Sequence, residues 1–451
     1  MNLAKINFKR IKENMVTVKY FNWFKDKQIK RNIIFSNYKS INDLRLYVRN
    51  LNKNRDYLYG IFFENTHIGN IKFEKPLIEN KKEPVSFMGI LIGNKLFRGK
   101  GYTHLIIEKA MIFFEKKFLI KKYKLGVSTR NFSAINCYKN SGFRIIKKDS
   151  ERFLMERNAQ ILNLSKISLG TAQVGLDYGI NNSKGMMNSK NLKAIINYSN
   201  LMGIRNIDTA FSYGESESKL GNVGVKNFKI TSKVPHVFSS QKNHIKKFLM
   251  TSLKRLKIKK LECLMIHDPY TLKNKGNLMK IFNEMLKLKS INLIQKIGVS
   301  ITDFSDLDFL IKNSPVDVIQ VPFNILDQRI KKKFFLEKLE KKNIEIEVRS
   351  VFLQGLLFKK KSDIKKMFKK SKYNWDKLNF FFKYDKFSKF SYMLNYVYDQ
   401  KFIKRIVVGF DDVRQLTQLG RVKRFEKKIT RRFSCNDEKI LNPHLWSNQI
   451  L

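Results

Sequence analysis

Short apolar segments alternate with helix-length segments through the second half of the chain, and this alternation restricts the fold more than any other feature. Each apolar segment has the length of a buried strand, and the segments between them repeat apolar residues at helical spacing. Eight strand–helix units in about 260 residues predict an α/β fold, a closed parallel (β/α)8 TIM barrel. The predicted strands are 167–169, 206–208, 228–233, 261–266, 297–299, 318–321, 344–348 and 406–408.

Four chemically active side chains lie at the ends of these predicted strands. Asp208 ends one strand, Tyr213 lies in the turn after it, and Lys233 and His267 come at the ends of the next two. Catalytic groups of a TIM barrel lie at the carboxyl ends of its strands, so the four side chains should share one pocket. A carboxylate, a phenol, an ammonium and an imidazole form an acid–base set. The alternative is a buried Asp208–Lys233 ion pair with a structural role alone.

The same segment resembles the aldo-keto reductase superfamily. Four separated stretches match its signatures in the right order: Leu-Gly-Thr-Ala-Gln at 169–173, Ile-Asp-Thr-Ala-x-x-Tyr-Gly at 207–214, Thr-Ser-Lys at 231–233 and Ile-His-Asp-Pro at 266–269. The resemblance implies hydride transfer between a nicotinamide and a carbonyl carbon, with Tyr213 protonating the new alkoxide. Lys233, held by Asp208, would lower the pKa of Tyr213. His267 would donate a hydrogen bond that orients the carbonyl.

The resemblance also implies where a nicotinamide nucleotide binds. The first two of the matching positions hold the carboxamide, the next two adjoin the nicotinamide ring, and the last three hold the adenosine phosphate. These positions are Ser300, Gln320, Arg349, Ser350, Gly409, Arg414 and Gln415. Arg349 could stack its planar guanidinium where the family often has an aromatic ring. Asp411 stands where a basic residue is frequent and would repel a 2′-phosphate, whereas Arg414 would attract it, so NADP(H) and NAD(H) both remain open.

Near residue 100, a strand-like segment runs into a basic loop with glycines and then into a helix predicted at 104–114. Free backbone N–H groups and the positive end of the helix would face this loop and make an anion site suited to a pyrophosphate. An ordinary basic turn is the alternative. The residues of the loop are Arg98, Gly99, Lys100, Gly101 and Thr103.

This loop and a second stretch resemble the GNAT family of acetyl-CoA-dependent N-acetyltransferases. Three of the loop residues occupy slots of that family's pyrophosphate loop, with Thr103 in place of a small residue. The stretch 131–143 matches the pattern Asn-x-x-Ala-x-x-x-Tyr-x-x-x-Gly-Phe. The resemblance implies a GNAT α+β/α domain that binds acetyl-CoA, with Asn131 along the pantetheine arm and Tyr138 protonating the departing thiolate. For Tyr138, a half-buried helix tyrosine is the alternative.

The spacing of the apolar segments changes after a short polar junction near residue 160. We therefore expect a GNAT-like domain over 1–157, an aldo-keto reductase barrel over 165–430 and a tail over 431–451. The segment 359–398 is long and rich in Lys and Phe, which predicts extra helices near the rim of the active site. In the tail, Trp446 either anchors the chain to the barrel or belongs to a disordered end.

The composition limits the remaining classes of function. The chain has 90 Lys+Arg against 38 Asp+Glu, a formal net charge of +52. The lysines are spread along the chain, so we interpret them mainly as solvated surface charge that attracts anionic substrates, and we expect no specific nucleic-acid partner. Three separated cysteines form no metal motif and fit a reducing compartment. No apolar run reaches membrane-spanning length, so a cytoplasmic protein is expected.

Together these patterns predict a bifunctional enzyme, an NAD(P)H-dependent aldo-keto reductase joined to an acetyl-CoA-dependent N-acetyltransferase. An amino sugar or a sugar nucleotide carries both an amine and a carbonyl-level carbon, so a small-molecule substrate of surface-glycan synthesis would explain the fusion. Two alternatives remain open. In one, only the barrel turns over and the first domain merely binds CoA. In the other, a basic nucleic-acid-binding protein has kept the folds of enzymes.

Overall fold

The structure of the protein is a computed structural model, and it divides into two compact units, Met1–Ile161 and Leu162–Leu451. Each unit has a sheet and a core of its own. Most of the predicted junction, 160–163, lies outside the residues that the structure describes. The described residues are 5–32, 38–53, 56–79, 83–117, 120, 122–159, 164–182, 185–235, 244–267, 275–305, 307–422 and 433–446.

The first unit is a mainly antiparallel sheet. Its described strands are β1 (Ile6–Arg10), β2 (Tyr57–Phe63), β3 (Thr66–Phe73), β4 (Leu77–Glu79), β5 (Glu83–Ile92), β6 (Lys122–Ser128), β7 (Arg144–Lys148) and β8 (Arg152–Asn158). Their order in the sheet is β1-β2-β3-β5-β6-β8-β7, and β4 pairs with β5. The β5–β6 pair is parallel, whereas the others are antiparallel. A parallel pair needs a crossover connection, which a helix supplies.

The first unit has five described α-helices, most of which begin at a capping side chain. They are α1 (Val18–Trp23), α2 (Lys27–Lys30), α3 (Ile41–Lys53), α4 (Thr103–Lys117) and α5 (Phe132–Asn140). Thr17, Asp26 and Asn131 each accept a hydrogen bond from a backbone N–H in the first turn of α1, α2 and α5, respectively. Such caps satisfy N–H groups that a helix start leaves unpaired. The crossover between β5 and β6 is α4.

The second unit is a closed barrel of eight parallel strands, which confirms the predicted (β/α)8 fold. Its strands are β9 (Ile167–Gly170), β10 (Asn206–Asp208), β11 (Lys229–Val234), β12 (Leu261–Ile266), β13 (Ile294–Ser300), β14 (Val318–Pro322), β15 (Glu345–Arg349) and β16 (Ile403–Gly409). Each strand pairs in parallel with its neighbours, and β16 closes onto β9. Strands covered on both faces are apolar almost throughout, and all five residues of β14 are buried.

The helices of the second unit connect these strands or extend the chain beyond the last one. They are α6 (Ala172–Gly175), α7 (Ser189–Met202), α8 (Ser216–Val223), α9 (His244–Leu256), α10 (Lys275–Ser290), α11 (Leu307–Asn313), α12 (Lys333–Lys341), α13 (Lys361–Met367), α14 (Asn379–Phe382), α15 (Lys386–Tyr398), α16 (Val413–Thr417) and α17 (Glu438–Leu441). None of the described helices combines the length and the apolar character needed to cross a membrane.

The connection between β15 and β16 carries the extra helices α13 and α14, and the tail packs against it. The Tyr373 hydroxyl donates to the carbonyl of Phe433 at 2.8 Å, and the rings of Phe368 and Trp446 lie 5.9 Å apart. Trp446 is 2% exposed. In the described part of the tail, 433–446, this tryptophan is therefore an anchor.

Candidate active site

Neighbouring strands bring the predicted catalytic side chains to one rim of the barrel. Asp208 is the last residue of β10, Lys233 is the fifth of the six residues of β11, and His267 follows β12 directly. Tyr213 lies in the turn after β10. Because these strands are parallel neighbours, their carboxyl ends lie together, as in other TIM barrels. Residues 268–274, which include the end of the predicted Ile-His-Asp-Pro stretch, lie outside the described residues.

A buried ion pair forms the centre of the site. The Lys233 ammonium donates to Asp208 Oδ1 at 2.5 Å and to the carbonyl of Thr209 at 3.2 Å. Asp208 is 3% exposed and Lys233 1% exposed. Burial by itself lowers the pKa of Lys233, but the Asp208 carboxylate and the nearby phenol raise it overall. The ammonium therefore stays charged at neutral pH.

Tyr213 packs directly beside this ion pair. Lys233 Nζ lies 5.5 Å from the centroid of the Tyr213 ring, and the His267 ring stands edge-on to it at 5.5 Å between centroids. Tyr213 as a residue is half-buried, but burial around its hydroxyl raises its pKa, and Lys233 opposes that rise. The ammonium thus acts in the predicted direction, although burial outweighs it. The phenol keeps its proton at neutral pH, as a proton donor must.

A hydroxyl from the same turn orients the imidazole. Ser212 Oγ and His267 Nδ1 are 3.1 Å apart. This contact restricts rotation of the His267 ring about the bond that joins it to Cβ. His267 is half-buried. Among the described residues, no group of three or more His, Cys, Asp or Glu side chains is placed to hold a metal ion.

Two glycines allow the backbone at Tyr213 to lie against helix α6. A Cβ built on Gly175 would lie 1.8 Å from the carbonyl oxygen of Tyr213, and one built on Gly214 would lie 2.5 Å from the carbonyl oxygen of Gly175. Gly214 also has φ of +49°, a left-handed conformation that favours glycine. Because a side chain at either position would collide with backbone atoms, the two glycines set the position of the turn that carries Tyr213.

Gly175→Ala is expected to displace the Tyr213 turn, since the new Cβ meets backbone atoms that cannot rotate away. A displacement of about 1 Å near reacting groups costs on the order of 10²-fold in rate, so kcat should fall by about that factor. Steady-state kinetics measure the effect. Gly126→Ala, where a Cβ meets nothing within 4 Å, is the matched control. Equal kinetics of the two variants would contradict this account of the turn.

Arg349 spans the rim between β13 and β15. Its guanidinium donates hydrogen bonds to four oxygens: Ser300 Oγ at 3.3 Å, the Ile301 carbonyl at 3.1 Å, Thr302 Oγ1 at 2.7 Å and Ser350 Oγ at 3.3 Å. These contacts hold the guanidinium plane in place at the end of β15. The predicted stacking of Arg349 on a nicotinamide ring needs such a fixed plane, and it stays a prediction.

The Gln320 side chain is directed into the barrel. Its amide nitrogen donates to Asp208 Oδ2 at 2.7 Å and to Glu347 Oε2 at 3.4 Å, and its oxygen accepts from Ser300 Oγ at 3.3 Å. Both amide hydrogens are therefore engaged, and only the oxygen has capacity for a ligand. This oxygen could accept from the NH₂ group of a nicotinamide carboxamide, but Gln320 has no exposed surface and Ser300 is 2% exposed, so the contact needs a side-chain movement and stays a prediction.

The segment after β15 has a strained backbone. Ser350, Leu353 and Gln354 have φ of +59°, +46° and +50°, although none of them is glycine. Asn324 donates to the Ser350 carbonyl at 3.0 Å and so holds the start of this segment. Such conformations persist only where the surrounding structure fixes them, and they concentrate at ligand sites. The predicted binding residues Arg349 and Ser350 lie at the start of this strained segment.

The predicted adenosine-phosphate contacts surround the start of α16. Gly409 is the last residue of β16. Gln415 and Asp411 exchange two hydrogen bonds, at 3.0 Å and 2.9 Å. Arg414 is exposed and pairs with Asp412 at 3.4 Å. The guanidinium that was expected to attract a 2′-phosphate thus has a carboxylate partner already.

A cavity of about 90 Å³ lies beside this loop. Its polar lining consists of Gln173, Asn182, Asn188, Asn191 and Asp411. Among the described residues that line it, none is cationic. Amide groups and a carboxylate can form hydrogen bonds with the hydroxyl groups of a ribose, whereas a carboxylate repels a phosphate.

Three residues that bear on the site are absent from the sequence-based prediction: Ser212, Glu347 and Arg405. Ser212 orients His267, and it stands one residue before the predicted Tyr213. Glu347 and Arg405 form a buried ion pair inside the barrel, at 3.0 Å. Side chains that point into the barrel recur at every second residue of a strand. Charged residues at such positions, in strands that are otherwise apolar, were the signal that could have identified this pair.

In the first unit, the predicted anion loop has the backbone that its glycines suggest. Gly99 and Gly101 have φ of +69° and +72°, which glycine adopts readily. Helix α4 begins at Thr103, directly after the loop, and Lys100 is exposed. A helix of this length presents free N–H groups and positive partial charge at its start.

Two of the predicted acetyl-CoA contacts have hydrogen-bond partners within the unit, and a third is buried. Arg98 donates to Asp26 Oδ2 at 3.1 Å and to two backbone carbonyls, so its guanidinium is part of the loop's own scaffold. The Asn131 side chain caps α5 by accepting from the N–H of Ala134 at 3.1 Å. Tyr138 is 7% exposed, and burial raises its pKa. The structure therefore gives Arg98 and Asn131 structural contacts.

Strands β5 and β6 separate towards their carboxyl ends. They pair over three residues only, 85–87 with 122–124. Beyond these, β5 continues against β3 as far as Ile92, and β6 continues against β8 as far as Ser128. The opening between the two strands lies at the end from which the glycine loop leaves β5.

Comparison with known proteins gives a family match within the second unit and several similar solved structures. The sequence profile of the Aldo/keto reductase family matches residues 166–430. No curated protein matches the chain. Similar solved structures include the holo form of an aldo-keto reductase from Bacillus halodurans (16% identity, 64% of this chain, 93% of that chain, TM-score 0.47) and a glycerol dehydrogenase from Gluconobacter oxydans (22% identity, 69% of this chain, 96% of that chain, TM-score 0.46). Another is an aldo/keto reductase from Klebsiella pneumoniae in complex with NADP and acetate (17% identity, 58% of this chain, 87% of that chain, TM-score 0.42). Since the family profile matches more than half of the chain, the protein belongs to the Aldo/keto reductase family.

Proposed function

We propose that the barrel interconverts a carbonyl and an alcohol with a nicotinamide nucleotide. A cluster of four side chains at the carboxyl rim supports this proposal: Asp208, Tyr213, Lys233 and His267. A phenol beside a charged ammonium can give a proton to an oxygen that gains negative charge. Membership of the Aldo/keto reductase family supports the same class of reaction.

Each residue of the cluster has its own role in this proposal. Tyr213 gives its proton to the carbonyl oxygen, and takes it back in the reverse direction. Lys233, held by Asp208, stabilises the phenolate that results. His267 donates a hydrogen bond to the same substrate oxygen and thereby orients the carbonyl.

A nicotinamide nucleotide, when bound, supplies or accepts the hydride. The residues proposed to hold it are Ser300, Gln320, Arg349, Ser350, Gly409, Arg414 and Gln415. Two observations bear on which nucleotide binds. The family resemblance favours NADP(H), whereas the polar cavity at Asp411 favours NAD(H), because a carboxylate accepts hydrogen bonds from ribose hydroxyls and repels a 2′-phosphate.

Titration of the full-length protein with NADPH and with NADH, followed by its intrinsic fluorescence, tests nucleotide binding without any substrate. Turnover is then measured as loss of nicotinamide absorbance across a panel of aldehydes, ketones and keto-sugars. We expect binding of at least one nucleotide and its oxidation with at least one carbonyl. Failure to bind either nucleotide, with no oxidation across the panel, would remove the proposal.

We further propose an amino sugar or a sugar nucleotide as the substrate class. The formal charge of +52 favours an anionic, phosphorylated molecule over a neutral one. Keto-sugar nucleotides and the corresponding unphosphorylated keto-sugars form a matched pair of substrates. A higher kcat/KM for the nucleotide, reduced by added salt, is the expected result, and equal values for both would contradict it.

For the first unit we propose acetyl transfer from acetyl-CoA to an amine. The opening between β5 and β6, with the glycine loop and α4 at its end, supports a pyrophosphate site made of backbone N–H groups. Since Arg98 is tied to Asp26, the side-chain contact with phosphate is assigned to Lys100. Tyr138 has its pKa raised by burial and keeps its proton at neutral pH, as a donor to a departing thiolate must.

Tyr138→Phe is expected to lower acetyl transfer by about 10²-fold or more, because the departing thiolate loses its proton donor. Calorimetry with acetyl-CoA measures binding, which should be unchanged, and release of free thiol with amino-sugar acceptors measures turnover. Binding without turnover in the parent protein would leave the first unit as a CoA-binding module. No binding of acetyl-CoA would remove the proposal for this unit.

A further inference from the structure

Inside the barrel, a continuous chain of hydrogen bonds connects the catalytic ion pair to a second ion pair. Successive donor–acceptor distances along it are 2.5, 2.7, 3.4, 3.0 and 3.2 Å. The chain runs through Lys233, Asp208, Gln320, Glu347, Arg405 and Glu262. Gln320 has no exposed surface, Glu347 is 1% exposed and Arg405 is 8% exposed. These contacts are therefore shielded from solvent, and electrostatic interactions are stronger in such an interior than in water.

Strand register places the middle of this chain in one layer of the barrel. Gln320 lies opposite Glu347 in the β14–β15 pair, and Glu347 lies opposite Arg405 in the β15–β16 pair. The second pairing depends on a β-bulge, because the register shifts between Ile346 and Glu347 and skips Lys404. Without this shift, Lys404 would stand opposite Glu347, and Arg405 would point to the other face of the strand.

Two cations and two carboxylates meet at the second ion pair, because Glu262 also pairs with Lys229 at 3.7 Å. Arg405 contacts two carboxylates, Glu347 at 3.0 Å and Glu262 at 3.2 Å. Burial raises the pKa of Glu347, and Arg405 opposes that rise. The other titratable groups that face Glu347 are Asp208 on β10, Lys233 on β11 and the Cys263 thiol on β12. A charge at Glu347 is therefore felt by the catalytic pair.

We propose that Glu347 and Arg405 are positioning residues of the reductase, which act through Gln320 on Asp208. The Gln320 NH₂ group gives one hydrogen to each carboxylate, so Glu347 holds the amide in the orientation that serves Asp208. Asp208 then has one oxygen on Gln320 and the other on Lys233. This role rests on the reductase function proposed above.

Glu347→Gln tests the role because it removes the charge and keeps the shape of the side chain. Loss of a buried negative charge favours the anionic form of Tyr213, so the high-pH limb of carbonyl reduction should move to lower pH by about half a unit or more. Glutamine has one acceptor oxygen in place of two, and the Arg405 guanidinium is the stronger donor to it, so the Gln320 amide loses its acceptor at position 347. Asp208 is then held less firmly, and kcat should fall roughly tenfold, with little change in KM for the carbonyl. The pH dependence of kcat and of kcat/KM measures both effects.

The double variant Glu347→Gln with Arg405→Met separates the effect of charge on the Tyr213 pKa from the effect of the Gln320 amide orientation on kcat. It also tests the proposal if Glu347→Gln alone folds poorly. One charge of each sign is removed, so the net charge of the interior equals that of the parent. The high-pH limb should return towards its parental position, while kcat stays low. Carbon NMR titration of labelled tyrosine, with the Tyr213 resonance identified by its loss in Tyr213→Phe, follows the same ionisation without turnover.

Glu217→Gln is the matched control. Glu217 has no exposed surface, accepts from Ser232 Oγ at 2.7 Å and pairs with Arg255 at 3.5 Å, outside the hydrogen-bonded chain. This variant should leave the high-pH limb in place. An unchanged limb in Glu347→Gln, or an equal shift in Glu217→Gln, overturns the positioning role while turnover of the parent upholds the reductase. If the parent does not turn over, the reductase fails, and the tyrosine titration still decides the coupling.

Discussion

Replacement of Tyr213 by phenylalanine is expected to lower the rate of carbonyl reduction by about 10²–10⁴-fold, the usual contribution of a positioned proton donor. The phenol lies beside the Lys233 ammonium and edge-on to the His267 ring. Phenylalanine keeps these ring contacts and removes only the hydroxyl, so the fold and the affinity for the nucleotide should be unchanged. Single-turnover kinetics, with nucleotide affinity measured in parallel, separate the chemical step from binding.

Tyr178→Phe provides the control for Tyr213→Phe. Tyr178 is 40% exposed, and it lies near enough to Tyr213 to raise the pKa of that phenol slightly, in addition to the larger effect of burial. It has no contact with the Asp208–Lys233 pair among the described hydrogen bonds. Its variant should keep most of the parental rate. Parental turnover in Tyr213→Phe would mean that another group delivers the proton, and the proposed role of the cluster would be lost.

Lys233→Met is expected to lower activity strongly and to destabilise the barrel. Methionine has a similar length, but it leaves the Asp208 carboxylate buried without its cation, which costs about 3–5 kcal/mol. The ammonium also opposes the rise in the Tyr213 pKa that burial causes, so that pKa should rise further when it is lost. Alcohol oxidation needs the phenolate, and its rate should therefore start to increase only at higher pH. Urea unfolding and the pH–rate profile measure the two effects.

Asp208→Asn combined with Lys233→Met distinguishes the two consequences of losing Lys233. With both charges removed, no buried charge lacks a partner, so much of the stability should return while the activity does not. An equally unstable double variant would show that the unpaired carboxylate is not the cause of the loss. Normal turnover of Lys233→Met would show that the ion pair has a structural role alone.

The barrel was predictable from sequence because its strands are covered on both faces and therefore read as apolar runs. β12 has the predicted bounds, 261–266, and β14 extends one residue beyond its prediction. β13 begins at Ile294, three residues before its predicted start. Its early residues include Lys296, whose ammonium reaches Glu345 at 2.7 Å, and this polar side chain interrupts the apolar pattern.

The residues at strand ends were predictable from the topology, whereas the interior of the barrel was not. Asp208 and Lys233 are where a parallel barrel places catalytic groups. The contact between Glu347 and Arg405 depends on a bulge in β16, and no glycine or proline marks that bulge in the sequence. The pKa of Tyr213 likewise depends on how deeply its hydroxyl is buried, which only the packed structure reveals.

The first unit shows the same division between local and distant effects. The left-handed backbone at Gly99 and Gly101 is one that glycine adopts without strain, so the residue type was a local signal for it. The partner of Arg98 does not, because Asp26 lies 72 residues earlier in the chain. Acetyl transfer by this unit stays a prediction, supported by the shape of the sheet and by Tyr138.

The skipped residue in β16 has an evolutionary consequence. Side chains alternate along a strand, so one further residue inserted before Arg405 would lie opposite Glu347 in a bulge of the same size and would turn Arg405 towards the surrounding helices. A carboxylate would then be enclosed with no cation at hand. Loss of Lys404, by contrast, would leave Arg405 opposite Glu347 in a regular pairing, so lineages of this barrel should tolerate that deletion but very few insertions in the strand.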